Sequence, residues 1–457
     1  MDSMDLDRII EALDGSLAHG NARGQITGVS IDSRKVRPGD LFFAFPGTRV
    51  DGHDFLDQVF EQGAAGAVIS RPVSSKTGRT LIMVPDPLKA LQDFARFYRS
   101  LFKIPVVAVT GSTGKTTTKD LIAAVLGKSL VVLKTEGNYN NEIGLPLTLL
   151  QLDRRHQVVV LEMGMRGLGE IAALCEISSP EVGVITNIGK THLELLGSQE
   201  KIAKAKGELL DSLPPEGSAV LYAQDPWQLK LARMVKGDLV FYGMENSQVS
   251  ASQVTLNGLE ASEFILRTPI GEAPCFLPLP GKHNVLNALA AAAVGHRFGM
   301  TPKEIAAGLA SVSLTGMRLE VKPGIFGSKL IDDSYNASPA STKAALELLA
   351  ASGDGRKLAV LGDMYELGYE SVSGHRAVGE KAAVLEIDCL CAVGELAREI
   401  ASGALAAGLS GERVNIFKDK QQATAFLKTY IQEGDVVLIK GSRGMQLEEI
   451  TASLQEG

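Results

Sequence analysis

The sequence is poor in cysteine: 4 Cys in 457 residues, at 175, 275, 389 and 391, none of them in a Cys-x-x-Cys pair. That spacing argues against a disulfide framework or a zinc ribbon, and reduced, buried thiols in a cytoplasmic protein are the expectation. Aromatic residues are scarce as well, at 5% with a single Trp (Trp227), too few for a platform that stacks single-stranded nucleic acid. Positive charge is in deficit, with 46 Lys and Arg against 53 Asp and Glu, a net charge of -7. A mildly acidic chain binds polyanions poorly in general, so no nucleic-acid partner is expected and any phosphate must be held locally. No apolar run approaches the ~18 residues that span a bilayer, so no membrane span is expected. The first seven residues are acidic and lack the basic n-region of a secretory signal.

What is present is an ordinary globular share of apolar residues, 45%, and a length that suggests roughly three domains at about 150 residues each. The first ~80 residues read as a small α/β unit, with strands near 41–45 and 67–69 and a helix near 55–60. Residues 85–87, Pro-Asp-Pro, read as a turn leading into a linker. From about residue 104 longer alternation sets in. Strands fall at 106–109, 158–161 and 184–185, and a helix at 116–126 carries Leu121, Ile122, Val125 and Leu126 on one side. A third stretch has strands at 329–331, 358–361, 390–393, 414–417 and 436–439, several of which run into polar residues such as Asp333, Asp363 and Lys440. Ligands of open α/β sheets bind beyond such strand ends. The pattern predicts an α/β chain with largely parallel sheets and domains at 1–83, 84–313 and 314–457.

Residues 110–117 read Thr-Gly-Ser-Thr-Gly-Lys-Thr-Thr between a buried strand and an amphipathic helix. Backbone N–H groups of a glycine loop at a helix N-terminus hold phosphate, and the helix dipole adds to the attraction. Gly111, Ser112, Thr113, Gly114 and Thr117 form the cradle. Lys115 would reach the β and γ phosphates and Thr116 would offer its hydroxyl to Mg2+. The strict G-x-x-x-x-G-K-[ST] pattern fails because Val109 stands five before Gly114; the loop is a compact G-x-x-G-K-T-T form. A nucleoside triphosphate site follows.

Several polar residues stand where a core would not choose them. Glu162 ends a buried strand and is either a surface-loop residue or one that needs a partner or a metal. His192 follows a strand of the same sheet and is either structural or a ligand through its neutral imidazole. In the helix expected at 201–213, Lys201, Lys204, Glu208 and Asp211 share one face, whereas Lys206 shares the other with Ile202 and Leu209. Its ammonium either snorkels to the rim or is neutralised. A neutral amine near a metal can take up CO2 as a carbamate, an anionic oxygen ligand suited to Mg2+. Asn138, Asn140 and Asn141 form either a polar turn or an amide-rich site for a peptide or sugar. Asn284 and Asn287 open an Ala-rich helix, where Asn284 either caps it or helps meet a base edge. Ser338 and Pro339 make a good N-cap and N1 pair, which leaves Asp333 and Asn336 without a structural reason.

Together these motifs resemble the Mur ligases, ATP-dependent amide ligases of peptidoglycan precursor synthesis. The phosphate loop and residues 281–287 are shared with the wider family, which includes folylpolyglutamate synthases. Residues 140–146 (Asn-Asn-Glu-Ile-Gly-Leu-Pro), 187–192 followed by 202–208, 333–339, 362–368 and 440–443 resemble the branch that adds a D-alanyl-D-alanine dipeptide to UDP-N-acetylmuramoyl-tripeptide. The Asp-Asn-Pro-Arg motif of the sibling that adds the third amino acid is absent.

The resemblance implies a nucleotide-sugar-binding N-terminal domain, a central P-loop-type parallel-sheet ATPase domain and a Rossmann-like C-terminal domain. It implies ATP with two Mg2+ ions. Lys115 would hold the phosphates, with Thr116, Glu162 and His192 around the metals and a carbamylated Lys206. Asn287 would meet adenine, and Arg318 and Asp333 the phosphates and ribose. Ser33 and Arg34 would lie in the uridine-sugar segment, and Asn336, Asp363, Glu366 and Arg443 on the dipeptide side. It further implies an acyl-phosphate mechanism. Two ligands on separate domains require closure, so Asp333 and Arg318 are expected to meet ATP only after the C-terminal domain swings in, and a monomer is expected. The competing readings are a folylpolyglutamate-type ligase and a P-loop switch that hydrolyses nucleotide without an amine acceptor.

Overall fold

The computed structural model of the chain describes residues 1–48, 50–73, 78–314, 316 and 319–455. Arg318 lies outside the described residues.

Three sheets carry the described residues, beside a two-stranded ribbon. In the N-terminal sheet, strands Gly28–Ser30, Asp40–Phe43, Gly66–Ile69 and Leu81–Met83 run parallel, and Ser16–His19 closes it antiparallel. Residues 85–87 are no linker. The Asp86 carboxylate accepts from the Leu88 and Lys89 amides, and Pro87 occupies the first turn of the helix Pro87–Ser100, a start signal that a turn reading misses. Leu91, Phe94 and Tyr98 of this helix share one hydrophobic cluster with Leu41 and Phe43 on one side and Val106 and Val159 on the other. It therefore joins the first two sheets through a common core.

The central sheet has nine strands. Its parallel part runs, in spatial order, Val249–Asn257, Asp238–Gly243, Ser218–Tyr222, Val182–Ile185, Val106–Thr110, Val158–Glu162, Val132–Lys134. Along Val106–Thr110, Val106 and Ala108 feed one core cluster and Val107 and Val109 the other, which is why the strand reads as an unbroken apolar run. Next to it the order reverses. The chain goes from 106–110 outward to 132–134, returns to 158–162 alongside, and crosses to 182–185 on the opposite side. Such a switch point is where an open α/β sheet forms a crevice.

The sheet is largely parallel, as expected, and turns antiparallel only at one edge. Val249–Asn257 still pairs parallel with Asp238–Gly243, but Ala261–Thr268 and Gly271–Leu277 follow it antiparallel, the last strand buried on alternate residues Ala273, Cys275 and Leu277. One face packs and the other meets water, the habit of antiparallel rather than parallel strands.

The C-terminal sheet has six strands in the order Glu320–Pro323, Lys329–Asp332, Val436–Lys440, Lys357–Gly362, Cys389–Val393, Val414–Phe417. All pairs are parallel except the first, an edge strand that the sequence reading omitted. Leu358 and Val360 face one cluster and Ala359 and Leu361 the other. All four cysteines are free and buried.

Candidate active site at the facing strand ends

Three neighbouring parallel strands of the central sheet end at Thr110, Glu162 and Ile185, so the phosphate loop, Glu162 and residues 186–192 open into one crevice. Three neighbouring parallel strands of the C-terminal sheet end at Asp332, Lys440 and Gly362, which brings Asp333, residues 440–443 and residues 363–368 together. The two sets of ends line one cavity of about 1530 Å³.

Gly114 has φ 79° and caps the helix Lys115–Leu126; an added Cβ would lie 2.6 Å from Asn287 Oδ1. Glycine is required there for both backbone and space. The loop is fastened to residues 186–189. The Thr113 amide donates to Asn187 Oδ1 (3.0 Å), and Asn187 Nδ2 donates back to Thr113 O (3.0 Å) and Oγ1 (2.9 Å). Gly189 N donates to Ser112 Oγ (2.8 Å) and Thr186 Oγ1 to Thr113 O (2.6 Å). The amide of Asn187 thus acts as an extra peptide group between the two loops, a role the sequence reading did not assign. Lys115 Nζ donates to Gly111 O at 2.9 Å, which folds the ammonium over the cradle. Thr117 follows in the first turn of the helix and lines the cavity.

Glu162 is buried, and both its carboxylate oxygens are engaged. Thr116 Oγ1 donates to Oε2 and Asn140 Nδ2 to Oε1, each at 2.6 Å. Asn140, expected on the substrate side, is therefore tied to the carboxylate expected at the metal. Asn141 Oδ1 accepts the Gly144 amide (2.9 Å) at the start of the helix Gly144–Leu149. Asn138, Asn140 and Asn141 all line the cavity.

His192 has φ 62°, as does Glu366 opposite; its Nδ1 lies 2.6 Å from Glu366 Oε2. Burial lowers the imidazole pKa, Lys115 and Lys206 lower it further, and Glu366 opposes them. Lys206 is 2% exposed in the helix Gln199–Asp211. Burial, with repulsion from Lys115 added, sets its pKa well below the usual 10.5. It does not snorkel, and it lines the cavity.

Thr116 and Glu162 present hydroxyl and carboxylate oxygens beside the phosphate cradle, a donor set that fits Mg2+. Among the described residues no three His, Cys, Asp or Glu converge. Mg2+ commonly takes one or two carboxylates and fills its shell with phosphate oxygens and water, so the residues present suffice.

Asn287 Nδ2 donates to Asn284 Oδ1 (3.2 Å), and Asn284 Nδ2 donates to Pro280 O (2.8 Å). Gly281, not Asn284, is the N-cap of the helix Lys282–Arg297. On the facing side Lys440, which no sequence expectation assigned, donates to Asp333 Oδ2 at 2.5 Å and to Asn336 O at 2.9 Å. Asn336 and Arg443 line the cavity, and Arg443 pairs with Glu448.

Asp363 is not among the lining residues. Its carboxylate accepts the Ala397 amide (2.8 Å) and those of Glu395 and Leu396, and burial raises its pKa. The structure gives it a backbone-holding place rather than a place in the cavity. Ser33 and Arg34 also stand outside the cavity. The Arg34 guanidinium forks onto Asp32 (2.9 and 2.8 Å), and that hydrogen bond holds the Asp32 carboxyl down to about 2.

The two walls touch directly. Lys190 Nζ lies 2.7 Å from Glu370 Oε1. Gly368, with φ 55°, packs so closely that a Cβ would lie 2.9 Å from Glu194 Cα.

The chain is similar to known proteins. Residues 25–99 match the model of the Mur ligase family catalytic domain, 109–295 the Mur ligase middle domain and 317–443 the Mur ligase glutamate ligase domain. The UDP-N-acetylmuramoyl-tripeptide--D-alanyl-D-alanine ligase of Bacillus subtilis is 40% identical over 451 residues, 98% of this chain and 97% of its own. A crystal structure of MurF from Acinetobacter baumannii superposes with a TM-score of 0.90 at 32% identity, covering 99% of both chains. The MurF ligase of Thermotoga maritima, solved in complex with ADP, superposes at 0.81 with 30% identity over 93% of this chain and 96% of its own. Matched by the family's models in all three parts and by full-length relatives, this chain belongs to the Mur ligase family.

Proposed function

We propose that the chain is an ATP-dependent, ADP-forming ligase that joins D-alanyl-D-alanine to UDP-N-acetylmuramoyl-tripeptide and so completes the pentapeptide precursor of peptidoglycan. The observation that carries this reading is the convergence, in one cavity, of a phosphate cradle, an oxygen donor pair for Mg2+ and the polar strand ends of a second sheet. That cavity has room for a nucleotide and a peptide side by side. The relatives named for this reaction support the choice of substrates.

A carboxylate is a poor electrophile, and phosphorylation turns it into a good one. The tripeptide carboxylate attacks the γ-phosphoryl group of ATP and ADP leaves. The dipeptide amine then attacks the acyl carbon, and phosphate departs from the tetrahedral intermediate. The substrate supplies its own nucleophile, so the protein's part is positioning and charge stabilisation. Gly111 to Thr117 hold the phosphates and Lys115 draws charge from the γ-phosphoryl oxygens. Thr116, Glu162 and His192 would hold Mg2+, in two sites, and the bound ions would supply positive charge to the phosphate oxygens. Asn287 takes adenine, Asp333 the ribose and Arg318 the phosphates, while Asn336, Glu366 and Arg443 stand on the dipeptide side. The low-pKa amine of Lys206 is suited to take up CO2 as a carbamate beside the metal. The N-terminal domain, 1–83, takes the nucleotide sugar through Ser33 and Arg34. The ATPase and C-terminal domains span 84–313 and 314–457.

We further propose that the chain acts as a monomer. No helix of the described residues is long and apolar enough to cross a membrane. We place the chain in the cytoplasm because its co-substrate is ATP. Phosphate release from ATP with UDP-tripeptide, measured with and without D-Ala-D-Ala, tests the proposal. Strict dependence on the dipeptide is expected, and dipeptide-independent release would remove it in favour of a nucleotide switch.

A further inference from the structure

Lys119 is fully buried on the helix that follows the phosphate loop, yet the reaction gives it no task. It sits in a chain of charges: Lys119 Nζ is 3.0 Å from Asp120 Oδ1, and Lys134 Nζ approaches the same oxygen at 2.7 Å. Lys119 Nζ also donates to Thr135 O at 2.8 Å. That bond changes the sheet. Thr135 N donates to Val160 O (3.0 Å), the regular parallel step. The next step of an evenly spaced parallel ladder would send Glu162 N to Thr135 O. Instead Glu162 N donates to Thr135 Oγ1 at 3.0 Å. The carbonyl has been drawn to Lys119, and the hydroxyl stands in for it under Glu162. The strand leaves the ladder at the residue whose carboxylate meets Thr116 and Asn140.

We propose that Lys119 is a positioning residue for the metal centre, acting through Thr135 to set where the Glu162 carboxylate stands. This rests on the reading of Glu162 as a Mg2+ ligand. Without the ammonium, Thr135 O is free to take the Glu162 amide, the regular ladder re-forms and the carboxylate moves away from Thr116. Groups behind a metal ligand typically change metal affinity by about 10–100-fold when removed.

The test is Mn2+ binding, followed by electron paramagnetic resonance, to the full chain loaded with adenylyl-imidodiphosphate, for wild type, Lys119→Met, Lys119→Arg and Thr135→Val. A fall in Mn2+ affinity of about tenfold or more is expected for Lys119→Met and Thr135→Val, with partial recovery in Lys119→Arg. Nucleotide affinity without metal should stay within about twofold of wild type. Thr135→Val, nearly isosteric, decides the matter alone if Lys119→Met does not fold. Unchanged Mn2+ affinity in a folded Thr135→Val overturns the proposal, as does a fall confined to thermal stability. Wild type that binds no Mn2+ would overturn the metal reading itself, a different failure from wild type and variants binding alike.

Discussion

At the scale of the residue, Lys206 carries the clearest pH signature. Burial sets its folded pKa well below 10.5, while the unfolded chain titrates near ~10.4. Between those values the unfolded chain holds a proton that the native chain does not, so native stability rises with pH across that window and falls as the pH drops. In CO2-depleted buffer, Lys206→Met should melt above wild type at pH 7, and the gap should close as pH nears ~10; calorimetry across pH checks the trend. Glu162→Gln keeps the shape but removes the charge and turns an amide NH2 toward either Thr116 or Asn140. Its kcat should fall by about 10²–10³-fold in initial-rate assays with little change in melting temperature. Lys206 was legible because Ile202 and Leu209 flank it at helical spacing. Lys119 was equally available, three before Ile122 and seven before Leu126, but reading only apolar residues on that face passed over it. The sequence did not show that the Asp363 carboxylate accepts the backbone amides of residues 395–397, because they lie far along the chain.

At the scale of the element, strand ends and helix starts make the site. Gly114→Ala places a β-carbon in left-handed backbone, which costs about 1–2 kcal/mol, and pushes it against Asn287 Oδ1. Titration calorimetry should find ADP bound at least about tenfold more weakly, a loss of roughly 1.4 kcal/mol. Wild-type affinity would mean that the loop does not need its left-handed cap. Central strands such as 106–110 were legible as continuous apolar runs, buried on both faces. Strands 249–277 were not, because they bury every second residue and mix polar with apolar positions. The sequence likewise could not show that Asn140 and Asn141 divide their work, one on Glu162 and one on a helix start. Only the fold brings residue 140 to residue 162.

At the scale of the whole molecule, two of the three parts form the walls of the cavity and the first packs against the second. The helix Pro87–Ser100 binds the first sheet to the second through a shared core. The second and third meet through a polar seam of Lys190 with Glu370 and His192 with Glu366, and the close approach of Gly368 to Glu194. Gly368→Ala should pry that seam apart. A larger radius of gyration by small-angle scattering and a lower kcat are expected, and an unchanged profile with unchanged kcat would show that the seam does not set the arrangement. The fold class and the glycine loop at the cavity were legible in local motifs; Lys440 on Asp333 and the seam were not, because each joins residues far apart in the chain. The central claim is that ATP energises a carboxylate for attack by an amine. Supply the tripeptide with 18O in its terminal carboxylate, add ATP and D-Ala-D-Ala, and weigh the phosphate released. The account predicts one 18O atom in each phosphate formed, and unlabelled phosphate would contradict it.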